Sequence, residues 1–178
     1  MNEYEIRKTG RPATPEVLYA PNIEAFILTN DGVFPNNPKL PLLIYKKALN
    51  TEIPDLVSQM QAIFADHHWG NSWVDGIYDF HHYHSTSHEV LAICGEHGIE
   101  HTLSAGDVVI PAGVSHKNLG SEGSFVVVGA YPRGRKYDMC YGKREERPAA
   151  DKNIVSVPIP DSDPLYGSDG PMTEHWQA

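Results

Sequence analysis

Between residues 72 and 131 the chain breaks into short apolar or alternating runs, and glycines at 76, 95, 98, 106, 113, 120 and 123 separate them. Runs this short leave no room for helices between them, so neighbours must pair antiparallel in a sandwich or barrel. The pattern predicts strands at 73–75, 77–84, 88–94, 99–103, 107–110, 115–118 and 124–131. Upstream, EAFILT at 24–29 is a further strand, ended by the turn signal Asn30-Asp31-Gly32, and PLLIYKKA at 41–48 starts extended.

A single helix is expected near 54–67. There Leu56, Val57, Met60, Ile63 and Phe64 share one helical face, with Thr51 as a cap and Gly70 as a stop. Residues 1–22 are polar and carry Pro12, Pro15 and Pro21, which predicts an irregular arm. After Tyr131 the chain turns proline- and glycine-rich, with a strand-like stretch at 153–158. Val155, Val157, Ile159, Leu165 and Trp176 would anchor this tail on the barrel or on a neighbouring subunit. The 178 residues thus read as one domain, with an arm (1–22), a barrel (23–131) and a wrapping tail (132–178).

Charge and apolar patterning remove several classes of function. A net charge of −9 with no basic stripe repels phosphate backbones, so nucleic acid is not expected as a partner. No apolar run approaches the ~20 residues that span a bilayer. The N-terminus has no apolar signal segment, and two cysteines make no disulfide framework, which together predict a cytoplasmic protein with free thiols.

Of ten histidines, five fall between residues 81 and 97. Alternation along a strand points His82 and His84 the same way and His81 and Tyr83 the other. Two imidazoles on one face can converge on one metal ion. The link Ser85-Thr86-Ser87 could return the chain so that His88 lies across from His84. Further on, a strand, a Pro111/Gly113 turn and a returning strand would deliver His116. Tyr78 and Phe80 share parity with His82 and could line a pocket, and Asn118 shares parity with His116 and could bind a ligand. His67 and His68 suit a helix C-terminus, while His81, His97 and His101 are expected in solvent or behind the ligands. The basic residues Arg133, Arg135, Lys136, Lys143 and Arg144 read as a solvated face, or as a contact for an anion at the barrel mouth.

These two segments resemble the paired motifs of the cupins. Gly76, His82-x-His84, His88 and Gly95 keep the spacing of the first motif, with His88 where the family carries glutamate. Gly106, Pro111, Gly113 and His116 match the second, with the interval before Pro111 one residue short and Asn118 one residue early. The resemblance implies a mainly β, antiparallel jelly-roll barrel with one helix and long irregular termini. It also implies one divalent transition metal (Fe, Mn, Ni or Zn) on His82, His84, His88 and His116. Parity favours His88 as the fourth ligand, whereas a bulge at Thr86 or Ser87 would bring in Glu89 instead. The implied activity is a dioxygenase-like oxidation or a Lewis-acid isomerase or lyase reaction on an anionic or chelating small molecule. A non-catalytic small-molecule sensor is the alternative. A homodimer is expected, with the termini and the apolar strand at 24–29 contributing to its interface.

Overall fold

A computed structural model describes residues 16–94, 108–110, 113–120 and 126–177. The expected strand at 99–103, His97, His101, Pro111, the glycines at 95, 98, 106 and 123 and most of the N-terminal arm lie outside the described residues.

Strands β1 (Asn22–Leu28), β2 (Asn37–Lys46), β3 (Trp69–Asp75), β4 (Val90–Ile93), β5 (Val108–Ile110) and β6 (Val127–Pro132) form a six-stranded sheet. Their order is β1-β2-β5-β4-β6-β3, and every pairing is antiparallel. The protein is therefore mainly β. Among the described residues the sheet is open, with β1 and β3 at its ends, and not the closed barrel the motifs led us to expect.

Both faces of β4 are covered, which is why it reads as a continuous apolar run and not as an alternation. Leu43 and Tyr45 of β2, Val90 and Ala92 of β4, and Val128 and Ala130 of β6 face the main core. Helix α1 (Leu56–Asp66) closes that face with Leu56, Met60 and Phe64. The expected cap is not used: Asp55 stands at the helix start in the left-handed region (φ 62°), with no side-chain cap. The stop comes at His67 and at His68 (φ 65°), before Gly70, which is already in β3.

The opposite face of the sheet presents Leu91, Ile93 and Val127, packed with Leu42, Trp73 and Ile77. The segments at 77–84 and 115–118, expected as strands, are reduced here to single-residue bridges. His82 pairs with His116 and Tyr83 with Cys140. The ladder stops because Asn118 N–H donates to Tyr78 O, two residues out of register with the His82–His116 pair. A bend at Asp79–Phe80 takes up that slip.

The tail folds onto its own chain. The expected strand at 153–158 is overturned: α2 (Arg147–Ser156) covers most of it. A proline in the first turn presets its φ, and Ala150 and Ile154, one turn apart, are buried against Tyr83 and Cys140. Farther on, the buried Asp163 accepts hydrogen bonds from the Tyr45 hydroxyl and from the backbone N–H groups of Leu165, Tyr166 and Met172. Beyond the short helix α3 (Pro171–His175), Trp176 Nε1 donates to Pro41 O at 2.8 Å, so the chain end is pinned across β2. No described helix is long and apolar enough to cross a membrane.

Candidate metal centre

Tyr83 is fully buried with Phe34, Cys140, Ala150 and Ile154, and this sends its neighbours His82 and His84 to the other side of the chain. The bridge from His82 to His116 then sets a third imidazole beside them, with the rings of His82 and His116 4.3 Å apart. One nitrogen from each of His82, His84 and His116 lies within 4.8 Å of the others, a group able to hold a metal ion.

Each ring is oriented by a backbone carbonyl at Nδ1. His82 faces Phe80 O at 3.3 Å, His84 faces Asp138 O at 2.5 Å, and His116 faces Val114 O at 3.1 Å. A carbonyl only accepts, so Nδ1 carries the proton and the lone pair sits on Nε2. Burial pulls the His82 imidazole down to about 4, and the adjacent His116 adds to the effect. Burial, only partly opposed by Glu89, also lowers His116. Both rings are therefore neutral near pH 7, the form that binds metal.

Parity does not survive the link after His84. The Asp138 carboxylate accepts from the backbone N–H groups of Ser85 and Thr86 and from both hydroxyls, and this turns the chain before β4 begins. Burial opposes charge on Asp138, but those hydrogen bonds outweigh it and hold its carboxyl below the usual range. Glu89 then shares the face of Leu91 and Ile93, and His88 shares the face of Val90 and Ala92.

The expected fourth ligand, His88, is thus placed on the wrong side of the sheet. Its ring packs 4.7 Å from Trp176, and neither nitrogen has a hydrogen-bond partner. Burial, with a smaller push from Arg135, lowers it to about 4. Glu89 occupies the position instead. Its Oε2 lies 3.2 Å from His84 Nε2 and 3.4 Å from His116 Nε2, while the Tyr131 hydroxyl donates to Oε1 at 2.5 Å. Burial disfavours a charged Glu89, yet His84, His116 and Tyr131 together hold its pKa below the ordinary value. Burial likewise works against charge on His84, but Glu89 and the Asp138 carbonyl outweigh it and raise its proton affinity.

These groups form the floor of a cavity of about 380 Å³. Its lining includes Trp73, Asp75, Ile77, Tyr78, Leu91, Tyr131, Tyr137 and Met139. Of the residues expected to meet a ligand, Tyr78 lines the cavity. Phe80 stacks on Tyr78 at 4.8 Å outside the lining, and Asn118 turns away to accept from Gly120 N–H. The structure adds Tyr131 and Trp73, whose Nε1–H donates to the Tyr131 hydroxyl at 3.0 Å, and Tyr137, stacked on Tyr131 at 4.5 Å. No spacing rule ties these aromatics to the histidines. His81, by contrast, is exposed against Ser115 Oγ, and His67 meets Pro164 O. None of the basic cluster lines the cavity; Arg133 pairs with Asp161 at 2.6 Å.

The donor set fits a divalent ion. Three Nε2 atoms are preoriented, and Glu89 Oε2 is buried with no hydrogen-bond donor of its own, an expensive arrangement unless a cation meets it. Three imidazoles and one carboxylate suit zinc, iron, manganese or nickel.

No family model matches the sequence. The chain is 40% identical over 163 residues to the uncharacterized protein YjlB of Bacillus subtilis (strain 168), across 86% of this chain and 96% of that protein. The chain therefore belongs to the same family as YjlB.

Proposed function

We propose that this protein is a cupin-type metalloenzyme acting on a small anionic or chelating molecule. Its divalent ion (Fe, Mn, Ni or Zn) would be held by His82, His84, Glu89 and His116. The observation that carries this reading is the unpartnered, buried Glu89 Oε2 set against imidazoles whose Nδ1 atoms are already taken by carbonyls. A bound ion would supply Lewis acidity and, if redox-active, an electron route for oxidation. The protein's own contribution is a fixed ligand geometry and a cavity lined in part by the aromatic side chains of Trp73, Tyr78, Tyr131 and Tyr137. Four protein ligands would leave room on a five- or six-coordinate ion, and the same four residues line the cavity. Openness toward a cavity favours an enzyme over a purely structural metal site, where the ligand shell is closed.

Elemental analysis of the purified protein, followed by dioxygen-uptake and isomerisation assays with chelating acids, tests this reading. Near-stoichiometric metal, lost in the His82→Ala, His84→Ala double variant, is the expected result. Full retention of metal by that variant would end the proposal.

A further inference from the structure

The cavity above the histidines selects by charge and shape. Among the described residues no lysine or arginine lines it. Among the described residues, its ionic groups besides the imidazoles are two carboxylates: Glu89 at the floor, and Asp75, exposed at the end of β3. A divalent ion with one ligating carboxylate keeps a single net positive charge. One anionic head group neutralises it, while a second would meet either apolar wall or Asp75.

The walls are flat. Trp73 lies directly across Gly129 in the β3–β6 register, and a Cβ on Gly129 would fall 2.1 Å from the indole. The missing side chain lets the indole lie against the strand and reach the Tyr131 hydroxyl. Tyr131 and Tyr137 stack with 23° between their planes, giving a second aromatic surface at the same cavity. Flat aromatic walls favour a flat apolar body by offset or edge contacts.

Building on the metal reading above, we propose that the site takes singly charged oxygen chelators with a flat apolar body, and that Asp75 rejects a second carboxylate. Aromatic 2-oxo acids are one such class.

Two probes with the same chelating head separate the possibilities: phenylpyruvate, with an aromatic body, and 2-oxoglutarate, with a second carboxylate. Calorimetric titration into zinc-loaded protein avoids turnover, and zinc content is measured in each sample. Phenylpyruvate is expected to bind at least ~10-fold more tightly, which corresponds to about 1.4 kcal/mol. The Asp75→Asn variant should narrow that ratio at least ~3-fold by strengthening 2-oxoglutarate binding. The Trp73→Ala variant should narrow it by weakening phenylpyruvate. Equal affinities, tighter 2-oxoglutarate, or no binding of either probe to zinc-loaded protein overturns the inference and leaves the metal site standing. Failure to hold zinc overturns the metal reading itself, and the inference with it.

Discussion

The Tyr131 hydroxyl donates to Glu89 Oε1 at 2.5 Å, and this turns the other carboxylate oxygen toward His84 and His116. Tyr131 in turn accepts from Trp73 Nε1, so a wall of the cavity and a candidate ligand are joined through one oxygen. Burial, reinforced by the Glu89 charge, keeps this phenol protonated far above its usual range, and it acts as a fixed donor.

Removing that donor loosens Glu89. The Tyr131→Phe variant is expected to bind metal about 10-fold more weakly, as loss of an outer hydrogen bond to a ligand commonly does. Competition with a chromophoric chelator measures it. Unchanged affinity would mean that packing alone orients the carboxylate.

Glu89 and His88 are separable by substitution. The Glu89→Ala variant should lose at least ~10-fold in metal affinity. By contrast, His88→Phe should leave metal binding intact and cost no stability, because a buried imidazole without partners already carries a penalty of ~1–3 kcal/mol. Metal titrations and urea unfolding of both variants check this, and metal loss in His88→Phe would reverse the assignment.

Both thiols should be inert in the native state. Burial pushes Cys94 up to about 12 and Cys140, with help from Asp138, up to about 11. A raised thiol pKa means that the thiolate appears only at higher pH. At pH 8 the native cysteines should therefore react with an aromatic disulfide reagent at least ~100-fold more slowly than in urea, with the rate rising as pH rises. Fast native modification at pH 8 would show that the burial is not maintained.

We expect a homodimer with β1 at its interface. This strand ends the described sheet, its Ile27 is 52% exposed, and a two-fold axis would cover the edge on both subunits at once. Sedimentation at micromolar concentration is the measurement, and a strict monomer of 19.8 kDa excludes the dimer.

What could be read from the sequence was whatever depends on near neighbours. The 3.6-residue stripe located α1, turn residues bounded β1, and alternation put His82 and His84 on one side of the chain. The β-rich class followed from glycine spacing. The tail helix α2 was missed because Ile154, Val155 and Val157 mimic a strand, while Tyr83, one of the partners that bury Ala150 and Ile154, lies more than 60 residues away.

Only the tertiary structure decided which of His88 and Glu89 stands beside the histidines. Counting residues from His84 assumes an unbroken pleat, and parity holds only while the backbone stays in one. Asp138, more than 50 residues downstream, captures the N–H groups of Ser85 and Thr86 and breaks that pleat. The break sends Glu89 to the histidines and His88 to Trp176. Tyr131, Tyr137 and Trp73 enter the cavity by the same kind of long-range pairing, through the register of β3 on β6 and the crossing of Tyr137 over His84. A local pattern fixes the side of the chain on which a residue stands, but the group it meets there is set by strand pairing and packing across the whole fold.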